Sequence, residues 1–435
     1  MHIWPMKRIL RTSSLAALAV IGILAGSCAS EPESPEQVEN RLRNTDVFAT
    51  TSTLSAEAPT EKLPAKDPHA FTIGAVLPLT GSRNVAGVEA LRGLQSAVGE
   101  INAAGGVNGQ PIQLAVLDSR SDLDIGAEAL GRFRDYGEAV LLVGDGPVAV
   151  AQAEKLADYK MVVGFLCDYV AGPKLTPQNG VRIYLNGDQE GRTIEGYVEA
   201  AGVDRVAVVH QNDLLSESNK QYLLYLFSGN HAIFTTEEGY SPEEQNFTLL
   251  GHAMLRVNTG VLILDGNGSE YGKILSAFET AGWQGMVLGY AGVAGLGTVS
   301  RKGRLASSAA YPLPDFAANP RTTESGRVFT EAYRVKFGAD PGLSAAYAYD
   351  NIRSLAAAAK QAVSADPQKI RAAFIALHTY TGAAGRYDIK DDGDTEMPLR
   401  LLRADGQPLP PPVKPDALVP ASQMMQLHLP AITQP

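Results

Sequence analysis

The chain has 435 residues, 45% of them hydrophobic and 19% charged, and a net charge of −10. That length suits two or three domains with cores of their own, and the composition is that of an ordinary globular chain. An acidic balance without a basic patch excludes nucleic acid as the expected partner.

The first 28 residues read as a targeting segment, not as fold. Lys7, Arg8 and Arg11 precede the apolar stretch "LAALAVIGILAG", which is too short to span a bilayer comfortably. It ends in Ala25-Gly26-Ser27-Cys28, which resembles the lipobox of bacterial lipoproteins. The resemblance implies cleavage before Cys28 and lipidation of its thiol and amine. The alternative is an ordinary secretory signal cut nearby. No later run is apolar enough to cross a membrane, so a chain anchored to a membrane is expected. If Cys28 carries lipid, Cys167 has no disulfide partner and is expected to be buried.

Residues 29–69 ("ASEPESPEQVEN…") are rich in Pro, Glu, Ser and Thr and read as a flexible tether. Seven short apolar runs follow: "FTIGAVLPL", "IQLAVLD", "AVLLVG", "MVVGFL", "RVAVVH", "GVLILDG" and "GMVLGY". Amphipathic stretches such as Val88–Ala103, Ile125–Tyr136, Gly191–Ala201, Tyr271–Ala281 and Ser344–Val363 read as helices among them. Continuous apolar strands alternating with helices predict parallel sheets covered on both faces. So many βα units predict an α/β protein of two doubly wound, Rossmann-like lobes, with ligands outside the carboxyl ends of the strands. Gly105, Gly106 and Gly109 supply positive φ for a tight helix-to-strand link, and Gly81 allows close backbone approach above the first strand. Residues 406–435 form a Pro-rich tail.

Four motifs carry a family resemblance: Pro78-Leu79-Thr80-Gly81, "INAAGGVNGQPI" (101–112), "AYAYDNIRSLAAA" (346–358) and "YTGAAGRYDIKDDGD" (380–394). In this order and spacing they resemble the type I periplasmic solute-binding proteins of the branched-chain amino acid class, which serve ABC transporters. The likeness spans roughly residues 70–405. It implies three hinge crossovers, one lobe of 70–186 plus 312–378, and a second of 188–308 plus 380–404. Closure of the lobes would trap a small molecule for an inner-membrane permease. A monomer without cofactor or metal is expected.

The resemblance also places the ligand contacts. Amino-acid-binding members hold the α-carboxylate with a Ser and an Ala-Thr pair; here these positions fall on Val148 and on Val170-Ala171. Pro147 offers no N–H, and Asp145 and Asp168 would repel a carboxylate further. Charge-assisted hydrogen bonds of roughly 1.5–3 kcal/mol each are thereby lost, which makes an apolar, aromatic or amphipathic ligand the expectation. Further wall candidates are Thr80, Ser82, Arg83, Ala149, Tyr169, Tyr184, Asn186, Asp213, Asp265, Tyr290 and Tyr311. Arg83 is the one cation among them, with a solvated loop tip as its alternative reading.

Enzymatic readings are weaker. Cys167 with His210 or His252 would imitate a thiol–imidazole pair, but no protease signature surrounds the cysteine. The seven histidines lack zinc spacing, and "GDGPVA" lacks the ending of a phosphate loop. The competing function is an interaction protein, because some lipoproteins of this fold resemble activators of cell-wall synthases. A location in the periplasm or at the cell surface is expected. Ala29, where an Asp commonly retains lipoproteins at the inner membrane, leaves the outer membrane open for a Gram-negative source.

Overall fold

The computed structural model describes residues 62–167, 178–229, 234–257, 259–266, 270–291, 303–403 and 406–411. Five parallel strands form the first sheet in the order β2-β1-β3-β4-β5. They are β1 (Phe71–Leu77), β2 (Ile112–Asp118), β3 (Val140–Val143), β4 (Val162–Phe165) and β5 (Gly180–Arg182). The register runs from Phe71↔Ile112 to Leu77↔Asp118. Every residue of β1 is buried, because side chains of both parities meet a covered face. Ile73, Ala75 and Leu77 enter one core cluster, while Val76 enters another on the opposite side.

Helices α1 (Asn84–Ala103), α2 (Leu123–Tyr136) and α3 (Gly146–Leu156) follow β1, β2 and β3. The chain then crosses, and α4 (Gly187–Ala200) leads into a six-stranded sheet of order β14-β10-β9-β8-β6-β7. Its strands are β6 (Arg205–Gln211), β7 (Phe234–Tyr240), β8 (Val261–Asp265), β9 (Met286–Gly289) and β10 (Ala310–Leu313), with β14 (Arg400–Arg403) antiparallel to β10. Between them lie α5 (Leu214–Ser228), α6 (Thr248–Val257), α7 (Tyr271–Thr280) and α8 (Arg304–Ser308). The strand β10 keeps the chain in the second sheet through Leu313, so the expected first-lobe start at 312 moves past that strand.

Through α9 (Asp315–Ala318) the chain returns to the first lobe, which it joins as α10 (Glu324–Phe337), α11 (Leu343–Ala362) and α12 (Pro367–Ile375). Helix α11 lies along α1, and the contact is backbone-close: a Cβ on Gly93 would stand 2.1 Å from the Ala345 carbonyl oxygen. A small antiparallel sheet of β11 (Thr379–Thr381), β12 (Arg386–Ile389) and β13 (Thr395–Glu396) precedes β14.

Two motifs of the family resemblance meet here. Asp350 of α11 is fully buried and accepts from Ala383 N at 2.6 Å, Ala384 N at 2.9 Å and Tyr387 Oη at 2.9 Å, which holds the Gly-rich turn against the helix. Burial pushes its carboxyl up to about 6, against the pull of those three donors. The loop glycines behave as expected, with φ of 91°, 73° and 83° at Gly105, Gly106 and Gly109.

Two segments expected outside the fold are partly held by it. Gln113 Nε2 donates to the Ala65 carbonyl at 2.8 Å, its Oε1 accepts from Asp67 N at 2.9 Å, and Leu63 packs on the first-lobe core. At the other end Leu409 N donates to the Leu401 carbonyl at 2.7 Å and Tyr197 Oη to that of Pro410 at 3.3 Å. Apolar anchors at Leu63 and Leu409 are the physical reason: each gives a polar, proline-bearing segment something to bury. Cys28 and the rest of the leader, tether and tail lie outside the described residues.

Candidate functional site

Parallel strands deliver their loops to one end, and the first sheet's carboxyl ends carry a connected polar group. Asp118 closes β2 and gathers the β1–α1 loop: its Oδ1 accepts from Leu79 N at 2.8 Å and Thr80 N at 3.2 Å, and its Oδ2 from Thr80 Oγ1 at 2.6 Å. Arg120 and Ser121 follow with φ of 55° and 57°, a left-handed pair that non-glycine residues rarely adopt. This bend turns Ser121 back, where its hydroxyl donates to the Thr80 carbonyl at 2.8 Å and accepts from Arg83 N at 3.1 Å. Gly81 is required beneath it, since a Cβ there would lie 2.4 Å from the Arg120 carbonyl oxygen at φ +85°.

Arg83 reaches across to Asp145 at the end of β3. Its Nε and Nη2 lie 3.1 and 3.2 Å from the two carboxylate oxygens, and Ser119 Oγ donates to Oδ2 at 2.6 Å. The Asp145 side chain is fully buried and the Arg83 side chain is 20% exposed. A buried carboxylate needs such a partner, because leaving it alone costs about 3–5 kcal/mol.

Across the crossing, two helices of the second lobe begin on their own caps. Asp213 Oδ1 accepts from Leu215 N and Ser216 N of α5, both at 2.9 Å, and Asn186 Oδ1 accepts from Asp188 N of α4 at 2.9 Å. In the first lobe Asp122 does the same for Asp124 N and Ile125 N of α2. The start of α5 lies against α3, and Leu215 packs on the first-lobe core. Behind it, Asp265 accepts from Asn219 Nδ2 at 3.0 Å, and Tyr290 Oη donates to the Asn219 carbonyl at 3.3 Å.

The crossings themselves are laced together. Arg182 of β5 grips Asp394 at 2.8 and 2.6 Å in a pair almost entirely out of solvent, and Asn186 Nδ2 donates to the same carboxylate at 2.7 Å. Met397 N donates to Gln189 Oε1 at 3.2 Å. Burial raises the Asp188 carboxyl in this knot above the usual range, against the pull of Arg182 and Arg192.

The sequence-predicted wall residues thus divide. Thr80, Ser82 and Arg83 stand at the first-lobe strand ends with Asp145, though Asp145 is buried as the partner of Arg83 instead of open to a ligand. Val148 and Ala149 are core residues: α3 begins at Gly146, and Val148 then packs on Gly126 of α2, where a Cβ would meet it at 2.5 Å. Asn186 is a buried tie between crossings. Asp213 lies at the second-lobe strand ends as a helix cap, while Asp265 and Tyr290 there are buried in packing. Tyr311 sits fully buried on β10. Tyr184 is half-buried at the first crossing, its ring 4.7 Å from that of Tyr347. Asp168, Tyr169, Val170 and Ala171 lie outside the described residues.

Sequence reasoning missed Asp118, Ser119 and Ser121. Their signal was the polar run "DSRSD" directly at a strand's carboxyl end, where an α/β sheet places its ligands. Cys167 is buried in the first-lobe core, whereas His210 is on β6 of the second sheet, so the thiol–imidazole reading brings its members to different lobes. Among the described residues no group of His, Cys, Asp and Glu is arranged to hold a metal.

Comparison with known proteins bears on this geometry. A family model described as "Periplasmic binding protein" matches residues 70–408. Leu/Ile/Val-binding protein homolog 1 of Brucella abortus is 26% identical over 340 residues, covering 75% of this chain and 88% of that protein. Among solved structures, the branched-chain amino acid transporter substrate-binding protein of Streptococcus pneumoniae in complex with isoleucine superposes with a TM-score of 0.66 at 20% identity, covering 78% of this chain and 98% of that one. An ABC-transporter solute-binding protein of Rhodopseudomonas palustris in complex with 3,4-dihydroxy benzoic acid gives 0.66 at 17% identity, covering 77% and 93%.

Proposed function

Because the chain belongs to the periplasmic binding protein family, whose model it matches over residues 70–408, we propose that it captures one small organic molecule between its lobes and delivers it to an ABC permease. The protein is a binder and not an enzyme, a monomer held at a membrane by lipid on Cys28, in the periplasm or at the cell surface. The lobes comprise residues 70–186 with 314–378, and 188–313 with 380–404, and they turn on the knot of Arg182, Asn186 and Asp394.

The ligand is an apolar, aromatic or amphipathic molecule and not a standard amino acid. The observation that carries this is electrostatic. A helix N-terminus is the ordinary seat of an anion, but here Asp122 and Asp213 fill those of α2 and α5 with the protein's own carboxylates. Val148 carries no hydroxyl and is turned into the core. Exposed Val85, Leu123 and Leu214 open the first turns of α1, α2 and α5, which supports apolar walls. One solved relative of this fold binds isoleucine and another 3,4-dihydroxy benzoic acid, so the scaffold admits either class.

Small-angle scattering of the purified protein tests the reading. Catechol or a related aromatic compound is expected to reduce the radius of gyration as the lobes close, and isoleucine to leave it unchanged. Contraction with isoleucine alone would overturn the ligand assignment.

A further inference from the structure

We infer that the first-lobe wall reads hydrogen-bond donors: it selects ligands bearing hydroxyl or amino groups toward Thr80, Ser121 and the Arg83–Asp145 pair, and discriminates against carboxylates and acceptor-only groups. This deepens the proposed function and rests on ligand capture at the strand ends.

The inference follows from where each proton goes. A hydroxyl has one proton and two lone pairs. Thr80 Oγ1 gives its proton to Asp118 Oδ2 at 2.6 Å. Ser121 Oγ gives its own to the Thr80 carbonyl at 2.8 Å. The buried Ser119 does likewise toward Asp145 at 2.6 Å. Thr80 and Ser121 are half-buried at the rim, and what remains for a ligand is lone pairs: two on Thr80 Oγ1, and one on Ser121 Oγ, which already accepts from Arg83 N at 3.1 Å. Asp118 forces this direction at Thr80 and Asp145 at Ser119, because a carboxylate only accepts; at Ser121 the Thr80 carbonyl does the same.

The charge of the wall points the same way. Arg83 would be the natural seat of an anion, but Asp145 holds its guanidinium side-on through two nitrogens, and Ser119 fixes that carboxylate from behind. On the Nε/Nη2 edge of Arg83 a carboxylate ligand would have to compete with an intramolecular partner that is already bidentate and buried. At Thr80 Oγ1, whose proton is committed to Asp118, a ligand's hydroxyl or ammonium group has no such competitor among the described residues. Arg120 and Ser82 run the other way, since both are exposed at the outer rim and carry donors there.

The test uses two probe pairs of matched shape on the purified protein: catechol against 1,2-dimethoxybenzene, and benzylamine against benzoate. Calorimetry is expected to show catechol and benzylamine binding at least tenfold more tightly than their partners. T80V removes the acceptor at nearly constant volume and is expected to bring the catechol preference close to one. A merely structural role for Thr80 would weaken both members of the pair equally. D145N frees Arg83 and is expected to raise benzoate affinity tenfold or more; if that variant fails to fold, R83M is expected to widen the benzylamine preference.

Binding with benzoate or the dimethoxy compound ahead in the wild type overturns the inference and leaves lobe capture standing. A ranking that T80V does not alter overturns it too. Binding of none of the four overturns both the inference and the ligand class on which it rests.

Discussion

Glu138 offers the sharpest stability test of the fold. It lies two residues before β3, 4% exposed, and neither carboxylate oxygen has a hydrogen-bond partner in another residue. One oxygen sits against Gly74 of β1, where a Cβ would be 2.7 Å away, beside the Phe133 ring. Burial pushes this carboxyl from 4.5 up to about 7, against the pull of its own backbone N–H and, less, of Lys66. Below pH 4.5 the group is protonated in both folded and unfolded chains and costs no charge. Between 4.5 and about 7 only the unfolded chain ionises, so stability falls as pH rises; above 7 the loss is complete. At ~1.4 kcal/mol per pH unit, that interval caps the loss at about 3 kcal/mol, and solvent screening brings it nearer to about 2. Glu138→Gln keeps the shape and removes the ionisation. In urea unfolding it should stabilise the protein by about 2 kcal/mol at pH 8.5 and leave it nearly unchanged at pH 4. An equal effect at both pH values would refute the reasoning, because an uncharged packing change has no such pH dependence.

Other expectations concern packing and the crossings. Gly93→Ala should destabilise by about 2 kcal/mol or more in thermal or urea unfolding, since its Cβ would enter the Ala345 carbonyl. Gly99→Ala on the same helix has open space around it and should instead stabilise by ~0.5–1 kcal/mol; destabilisation there would show the α1 surface to be misassigned. Asp394→Ala removes the carboxylate that grips Arg182, which is 1% exposed, and should cost about 3–5 kcal/mol. The double variant with Arg182→Met should recover much of that loss in the same unfolding assay, and a double variant no better than the single would contradict the pairing.

The interior of both sheets was legible because parallel strands covered on both faces must be apolar at every position, as in "FTIGAVL" and "VLILD". Strands at the margins were not. β7 is "FTTEEGY", an edge strand whose Glu237 and Glu238 are exposed, so it carries no apolar run. β10, "AYPL", contains Pro312, a residue that argues against a strand when read locally. Much of the candidate site was hidden for a different reason. Asp145 finds Arg83 across 62 positions and Asn186 finds Asp394 across 208, so whether each side chain faces ligand or protein is settled by tertiary contacts that spacing does not encode. Val148 was placed on a pocket by resemblance, and only the start of α3 at Gly146 turns it inward. Asp350 shows the opposite case: its motif and the Gly-rich turn were both readable, and the structure adds that they bond to each other.

A thermal-shift titration of the purified protein bears most directly on the central claim, that this member of the family captures a small organic solute other than an amino acid. Ligand at a hundredfold excess over its Kd stabilises the native state by about 2.7 kcal/mol, which raises the midpoint by several degrees. Catechol, benzylamine and other aromatic or amphipathic compounds are predicted to include at least one that does so, while leucine, isoleucine and valine give no shift. A shift of several degrees with the branched-chain amino acids and none with the rest of the panel would contradict the account.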